Sequence, residues 1–322
     1  MEATNSKVYV VTNVTSVLGK AIALGLAMTG ATVLIVAKDQ SHGAGVEQEI
    51  SMLSQNASVE LQLGDLSNLS SVRNLAEIIN SKYQKIDGLI LNNSIYRKQR
   101  SLTVDGFEEM LAANYLGPFL LTQLLLDRLR ASGSARIINL TAPTTTQLDL
   151  DDLQSERHFN SIKTFNATRA ANLLFTYELA RRLENSNITV NALYPGLVRS
   201  EILKEAPLLN RLLAWLFAIK SEKAAEEIVS AVTGPVLENK HGTFLRQGEE
   251  IQTADYFLDQ RTQQRLWEIS ERLTDAKYLG PNYDPTGSVA MYNDKDIPEG
   301  LIRPEEDPTV EENGVVKREQ KT

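Results

Sequence analysis

Residues 8–19 read Val8-Tyr9-Val10-Val11-Thr12-Asn13-Val14-Thr15-Ser16-Val17-Leu18-Gly19, an apolar run followed by a short polar turn and the start of a helical pattern. Further along the chain, short β-branched runs alternate with longer helical patterns as far as Leu193. Near-continuous apolar strands separated by helices are typical of a parallel sheet that is covered on both faces. The sequence therefore predicts an α/β fold with a doubly wound parallel sheet, and a site beyond the carboxyl ends of its strands.

The periodicity of apolar residues predicts the individual elements. The expected strands are Val8 to Val11, Thr32 to Val36, Val59 to Gln62, Gly88 to Leu91, Arg136 to Leu140 and Thr189 to Leu193. The expected helices are Leu18 to Met28, Gly43 to Leu53, Ser70 to Lys82, Phe107 to Leu129 and Phe165 to Leu183.

Composition limits the class of protein. The chain has 322 residues, 42% of them hydrophobic, and this is enough for one large core. The formal net charge of −8 argues against a nucleic-acid-binding face. Cysteine is absent, and His42, His158 and His241 lack metal-ligand spacing, so we expect no metal site. The N-terminal residues show no signal-type pattern. We expect an intracellular protein, cytoplasmic or peripheral on a membrane, and a homo-oligomer is compatible with the sequence.

The last part of the chain differs in character. Residues 275–322 are rich in acidic residues and hold half of the chain's 10 prolines. Such a segment buries too little apolar surface to offset the entropy of ordering it. We therefore predict a single domain over residues 1–274 and a disordered acidic tail over residues 275–322.

One of several segments at fixed spacing reads Ala170-Ala171-Asn172-Leu173-Leu174-Phe175-Thr176-Tyr177-Glu178-Leu179-Ala180-Arg181-Arg182-Leu183. It resembles the short-chain dehydrogenase/reductase family, and in particular the retinol-dehydrogenase-like members. The same holds for Tyr194-Pro195-Gly196-Leu197-Val198-Arg199-Ser200-Glu201 and Arg265-Leu266-Trp267-Glu268-Ile269-Ser270. The resemblance extends from about Lys7 to Leu273. It implies a Rossmann-like fold and hydride-transfer chemistry with a nicotinamide cofactor.

The cofactor loop departs from the family pattern Thr-Gly-x-x-x-Gly-x-Gly. Thr12 and Gly19 match it, whereas Asn13 and Val17 replace two glycines that allow close approach of the backbone to a pyrophosphate. Asn tolerates left-handed backbone angles, but a β-branched residue does not. Ile95 likewise replaces the glycine of the family's Asn-Asn-Ala-Gly motif, and we expect its side chain at the floor of the nicotinamide crevice.

Other cofactor positions are retained in part. The resemblance assigns Asp65 to the adenine side, Asn92 to the start of the Asn-Asn motif, and Pro195 and Gly196 to the segment after the last strand. Lys38 stands where an acidic residue would bind a ribose hydroxyl, and Lys20 adds a second cation nearby. We expect no tightly bound dinucleotide, and NADP(H) rather than NAD(H) if one binds.

The catalytic motif has lost its proton donor. The resemblance assigns Asn114 and Thr141 to the family's asparagine and serine, and Phe165 and Arg169 to its Tyr-x-x-x-Lys pair, while Ala142 is a further change. A phenylalanine has no proton to transfer, and an arginine reaches differently from a lysine. A tyrosine at another position, Tyr96 or Tyr194, could supply a phenol, although either fits a packing role.

Residues Leu208 to Ile219 form an apolar stretch where the family places a substrate-covering helix. It is too short to span a bilayer. It could cover an apolar ligand, rest on a membrane surface or form an ordinary core helix.

Three functions are compatible with these residues. The first is a pseudoenzyme that binds a protein partner or a lipophilic ligand. The second is an atypical NADP(H)-dependent oxidoreductase acting on a lipophilic alcohol or ketone, such as a retinoid or steroid. The third is a nucleotide sensor without turnover, which Val17 and Ile95 disfavour.

Overall fold

Strands of one sheet form the centre of the computed structural model, which describes residues 6–198, 219–237 and 240–276. They are β1 (Val8–Val11), β2 (Thr32–Ala37), β3 (Val59–Leu63), β4 (Gly88–Leu91), β5 (Ala135–Leu140), β6 (Ile188–Leu193), β7 (Thr243–Arg246) and β8 (Glu249–Glu250). Their order in the sheet is β3-β2-β1-β4-β5-β6-β7-β8. All adjacent pairs are parallel except β7 and β8.

Helices cover both faces of this sheet. They are α1 (Val17–Ala27), α2 (Gln40–Ser54), α3 (Leu69–Lys82), α4 (Glu109–Leu111), α5 (Gly117–Arg130), α6 (Ser161–Arg182), α7 (Ser221–Thr233), α8 (Asp255–Leu258) and α9 (Gln260–Thr274). One apolar cluster includes residues of α1, α2 and α7, and the other includes residues of α3, α5, α6 and α9. The predicted doubly wound, Rossmann-like fold is confirmed.

The strand order places the site. The chain moves from β1 to β2 and β3 on one side, and then crosses to β4 on the other side of β1. The carboxyl ends of β1 and β4 therefore border the crevice where ligands bind in open sheets of this type. Asn92 and Asn93 follow β4 directly, and Thr12 follows β1.

The long helix predicted over Phe107 to Leu129 is interrupted. A π-helical turn, Ala112–Leu116, separates α4 from α5 and contains Asn114. Single π-helical turns inside α-helices are frequent at functional sites. Next to it, a Cβ on Gly117 would lie 1.9 Å from the Leu66 carbonyl oxygen, so the start of α5 needs a glycine.

The part of the chain after β6 contains elements that the sequence analysis did not predict. β7 extends the parallel sheet, and α9 packs Trp267 against Phe119 and Phe175, with ring centroids 5.1 and 6.0 Å apart. Ala276 is buried in the same core. The predicted tail lies outside the described residues from position 277 onward. The apolar stretch Leu208 to Ile219 also lies outside them, except for Ile219.

None of the helices in the described ranges combines the length and apolar character needed to cross a bilayer.

Candidate functional site

The turn between β1 and α1 is held by side chains on both sides of the crevice. Thr12 Oγ1 accepts a hydrogen bond from the Asn92 N–H at 2.9 Å, and Asn13 Nδ2 donates to the Asn92 carbonyl at 3.1 Å. Ser16 Oγ caps α1 by accepting from the Gly19 N–H at 3.1 Å. Asn13 has a φ of 54°, in the left-handed region that the missing glycine would have occupied. Asn13 thus adopts a left-handed backbone angle that a glycine takes without strain.

Val17 is the first residue of α1, and its side chain is 42% exposed. In this fold a pyrophosphate lies against the N-terminus of the first helix, where the backbone must come close to the phosphates. An exposed, branched side chain thus adds bulk at a position where the family has a glycine.

The two candidate charges on the adenine side bind each other. Lys38 Nζ lies 2.9 Å from Asp65 Oδ2. Burial acts to raise the pKa of Asp65, but hydrogen bonds from Ser67 and Lys38 outweigh it and hold this pKa below its usual range. The other candidate cation, Lys20, pairs with Glu49 at 2.9 Å. A 2′-phosphate at Lys38 would compete with Asp65, although an exposed pair is worth only about 0–1 kcal/mol.

Asn114 connects the segment after β4 to α6. Its Oδ1 accepts from the Ile95 N–H at 2.6 Å, and its Nδ2 donates to the Ile95 carbonyl at 2.9 Å and to Thr168 Oγ1 at 3.3 Å. Its main-chain carbonyl accepts from Asn172 Nδ2 at 3.1 Å. The side-chain amide of Asn114 is therefore a positioning group for two elements.

The sequence predicts the Ile95 side chain at the floor of the crevice. Ile95 is half-buried. It is not among the described residues that line the cavity at the carboxyl ends of the strands, whereas Asn93 and Ser94 are. The physical reason is that the Ile95 backbone is paired on both sides with the Asn114 amide, which fixes how this segment turns away from β4.

A cavity of about 370 Å³ opens at the carboxyl ends of β1, β4, β5 and β6, and it is called the central cavity below. It includes the predicted positions Asn92, Asn114, Thr141, Phe165, Arg169, Pro195 and Gly196. Thr12, Gly19, Lys38 and Asp65 are not among its lining residues. Tertiary structure thus brings the catalytic motif positions together, and separates them from the adenine side.

The motif positions on β5 and α6 meet at one wall of the central cavity. Thr141 is buried and its hydroxyl donates to the Arg169 carbonyl at 3.3 Å. Phe165 is 8% exposed, and the Arg169 guanidinium carbon lies 4.5 Å from the centre of its ring. The place of the family's phenol is therefore taken by an aromatic ring stacked under a cation.

Arg169 also lines a second cavity of about 480 Å³, called the side cavity below. The described lining of the side cavity includes Pro143, Asn166, Phe244 and residues 144–146 and 251–254. Burial lowers the pKa of the Arg169 guanidinium from its ordinary value, and the neighbouring Tyr194 acts in the opposite direction.

The two tyrosines considered as substitute donors differ in their surroundings. The Tyr96 hydroxyl donates to Ser161 Oγ at 2.9 Å, and its ring meets Phe165 edge-on at 5.6 Å. Tyr96 is not among the described residues lining the central cavity, whereas Tyr194 is. The Arg246 guanidinium lies 5.4 Å from the centre of the Tyr194 ring.

The sequence analysis missed several residues of the central cavity. Thr168 and Asn172 line it from α6, three and seven positions after Phe165, so helical spacing was the signal that could have found them. Leu18, Leu140, Pro143, Leu197 and Val198 also line it, and no local pattern marks them. Among the described residues, no group of three or more His, Cys, Asp or Glu side chains is arranged to hold a metal ion.

Comparisons with known proteins show the family of this chain. Residues 7–208 match the family described as short chain dehydrogenase. Retinol dehydrogenase 12 from Homo sapiens is 33% identical over 278 residues, which cover 84% of this chain and 87% of that protein. Polyprenol dehydrogenase from Homo sapiens is 34% identical over 281 residues, which cover 83% of this chain and 85% of that protein.

Solved structures show the same fold. The crystal structure of an uncharacterized protein from Mycobacterium paratuberculosis has a TM-score of 0.68 at 28% identity, and the match covers 84% of this chain and 94% of that one. RhlG from Pseudomonas aeruginosa, solved with NADP, has a TM-score of 0.62 at 22% identity over 76% of this chain and 97% of its own. At that identity, the second likeness is evidence of the fold alone.

Proposed function

This chain belongs to the short-chain dehydrogenase family, in its retinol-dehydrogenase-like branch, and from that premise we propose that it binds a lipophilic ligand without transferring hydride. One observation carries the proposal. Phe165 and Arg169 line the central cavity at the positions of the family's Tyr and Lys. The place of the proton donor is therefore filled by a phenyl ring, which has no proton that it can transfer.

The chemistry of the remaining groups supports this reading. Losing a positioned general acid costs about 10²- to 10⁴-fold in rate. The Thr141 hydroxyl is a retained motif group, and it donates to the Arg169 carbonyl at 3.3 Å. Arg169 is a donor only and does not release a proton at physiological pH. These groups can orient a polar head group, but they supply no efficient acid.

The walls of the central cavity support an apolar ligand. Leu140, Ala142, Pro143, Leu197 and Val198 contribute apolar surface to it. A volume of about 370 Å³ lies in the range typical of small-molecule sites. Two relatives are named for retinol and polyprenol, which are long apolar alcohols. We propose a ligand of similar character here.

We propose that no dinucleotide binds tightly, because Val17 obstructs the N-terminus of α1. NADP(H) is the expected form if one binds, since Lys38 replaces an acidic residue. Four further points stay predictions from the sequence. They are a protein partner, a homo-oligomer, an intracellular location and contact of Leu208 to Ile219 with a membrane surface.

An atypical oxidoreductase is the second candidate, and the position of Tyr194 favours it. This tyrosine lines the central cavity together with Thr141 and Arg169, so a phenol is present at the site, although on a different element from α6. Tyr96 is a poorer candidate, because its hydroxyl is bound to Ser161 and it is not among the described lining residues.

Titration with NADPH and NADH, combined with turnover assays on retinol and retinal, tests the proposal. We expect Kd values above about 1 mM, equivalent to less than about 4 kcal/mol of binding free energy, and no turnover. Phe165→Tyr with Arg169→Lys should remain inactive. Adding Asn13→Gly and Val17→Gly to that pair should produce NADPH oxidation, since the proton donor acts only once a cofactor is bound.

The opposite results are equally clear. Micromolar NADPH binding and turnover by the unmodified protein would overturn the proposal. Loss of that turnover in Tyr194→Phe, with Tyr96→Phe as the matched control, would establish the oxidoreductase with Tyr194 as its acid.

A further inference from the structure

The Arg169 side chain has few partners for a half-buried cation. Its guanidinium stacks on the Phe165 ring at 4.5 Å, and Nη1 donates to Asn166 Oδ1 at 3.1 Å. No carboxylate lies within ion-pair distance of it among the described residues. A guanidinium has five N–H donors, so most of its hydrogen-bonding capacity is available at the cavity wall.

Two arginines near the end of the same helix show the contrast. Arg181 and Arg182 both pair with the buried Glu178, each at 2.7 Å. Arg136, on β5, donates instead to main-chain carbonyls of Ala231 and Val232. The fold thus supplies acceptors to these arginines, while the described residues leave Arg169 with a single amide oxygen.

The described parts of both cavity linings beside Arg169 contain no acidic side chain. Among the described residues that line the central cavity and the side cavity, Arg169 is the charged residue common to both, and neither lining includes an aspartate or a glutamate. A partly desolvated cation facing such a cavity is costly unless an anion pairs with it. The lowered pKa of Arg169 has this same cause, namely burial.

We infer that the central cavity binds an apolar carboxylic acid whose carboxylate is held by the Arg169 guanidinium, an inference that rests on ligand binding as the proposed function. A planar guanidinium matches a carboxylate through two parallel hydrogen bonds. A single cation balances the one negative charge of a carboxylate, whereas a phosphate monoester carries about −1.5 to −2 at neutral pH.

The rest of the cavity fits the remainder of such a molecule. Leu140, Ala142 and Pro143 continue from Thr141 along one wall, and Leu197 and Val198 lie on the segment after β6. Tyr194 directly follows β6 and lines the same cavity, next to Arg169. Besides its amide and hydroxyl side chains, the site therefore has one anion-binding point and an apolar stretch of wall for a hydrocarbon chain.

This arrangement separates acids from alcohols. An alcohol of the same chain length fills the apolar part equally well, but it leaves the guanidinium without an anion. Hydrogen bonds to a charged group are stronger than those between neutral groups. The difference in affinity between an acid and an alcohol of equal chain length therefore measures the contribution of Arg169, because the apolar contribution to binding is the same for both.

Calorimetric titration of the full-length protein with lauric acid and with 1-dodecanol at neutral pH tests the inference. We expect the acid to bind about tenfold to a hundredfold more tightly than the alcohol. Arg169→Met should abolish that preference and leave the affinity for the alcohol within about twofold. Arg169→Gln keeps a polar side chain of similar length, and it should abolish the preference as well if the Met variant does not fold.

Lys163→Met is the matched control, because it removes an exposed cation from the first turn of α6 outside both cavity linings. It should leave the preference for the acid unchanged. Equal binding of acid and alcohol by the unmodified protein would overturn the inference and leave apolar-ligand binding as the function. An equal loss of preference in Lys163→Met would overturn it in favour of general charge attraction. Binding of NADPH but of neither amphiphile would overturn the proposed function itself.

Discussion

At the scale of single residues, Gly19 sets how closely α1 approaches the turn after β1. A Cβ at this position would lie 2.4 Å from the Asn13 carbonyl oxygen and 2.7 Å from Asn92 Nδ2. Both atoms take part in the hydrogen bonds that hold the turn, so neither can move freely. This explains why the third glycine of the motif is present although the first two are replaced.

Gly19→Ala should therefore lower the free energy of unfolding by about 1–3 kcal/mol through overpacking. The control is Gly45→Ala in α2, where no atom lies within 4 Å of the added Cβ. That change should be neutral or stabilising by up to about 1 kcal/mol, because alanine favours helix. Urea unfolding of both variants measures the difference, and similar losses in the two would contradict the packing argument.

Val17 and Ile95 also act at this scale, and the structure predicts different effects for them. Val17→Gly should strengthen NADPH binding by about tenfold or more, equivalent to about 1.4 kcal/mol. Ile95→Gly should leave the affinity nearly unchanged, because the Ile95 backbone is held on both sides by the Asn114 amide, whereas Val17 stands at the N-terminus of α1. Equilibrium titration at millimolar NADPH compares the two variants with the unmodified protein. A larger gain from Ile95→Gly would restore the original expectation for this residue.

At the scale of elements, α6 brings the altered motif to the cavity. Asn160 Oδ1 caps the helix by accepting from the Lys163 N–H at 3.0 Å. Because positions three, four and seven residues apart share a face, Phe165, Arg169 and Asn172 reach the same wall. The contact of the Arg169 guanidinium with the Phe165 ring at 4.5 Å follows from this spacing.

The buried carboxylate of Asp87 links the start of β1 to the residue before β4. Asp87 accepts from the Lys7 ammonium at 2.8 Å, from the Val8 N–H at 2.9 Å and from the Ser132 hydroxyl at 2.8 Å. Burial acts to raise the pKa of Asp87, but these hydrogen bonds outweigh it and hold this pKa below its usual range. The carboxylate is thus favoured in the folded state.

The pKa of Asp87 is lower in the folded state than in the unfolded state. The stabilisation that its ionised carboxylate gives to the fold is therefore complete above about pH 4, near the ordinary pKa of aspartate. It is lost as the pH falls through the folded pKa. Asp87→Asn should therefore destabilise the protein at pH 7, and the difference from the unmodified protein should shrink below about pH 4. Urea midpoints across that range measure it. The exposed Asp255→Asn is the charge-matched control, and an equal pH dependence there would contradict the assignment.

At the scale of the whole molecule, the domain ends later than the predicted boundary after residue 274. Ala276 belongs to the buried core, and Arg73 donates to the main-chain carbonyls of Thr274 and Asp275. The last helix, α9, contributes Trp267, which is 1% exposed. These contacts make α9 part of the domain core.

Deletion of residues 277–322 should leave the melting temperature within about 2 °C of the full chain, because an acidic, proline-rich segment is expected to bury little surface. Deletion of residues 260–322 should prevent folding or lower the melting temperature by about 8 °C or more, since removing a buried tryptophan costs about 3–5 kcal/mol. Differential scanning calorimetry compares the two. A large loss in the shorter deletion would place tail residues in the core.

Much of the fold could be predicted because its signals are local. Buried strands such as β1 and β4 are continuous apolar runs, and both have the predicted bounds. The break at Ala112–Leu116 could not be predicted, because it depends on the pairing of Asn114 with Ile95 and Asn172, which are distant in sequence. The elements after β6 lack an equally clear pattern.

The sequence alone determined the fold, the family and the loss of the tyrosine at position 165, since each depends on residue identity and spacing. Only the tertiary structure decided that Ile95 does not line the cavity, that Lys38 pairs with Asp65, and that Arg169 lies between two cavities without a described acidic partner. The physical reason is that these properties depend on how the segments after separate strands turn and meet. Long-range contacts fix those turns, and spacing along the chain does not encode them.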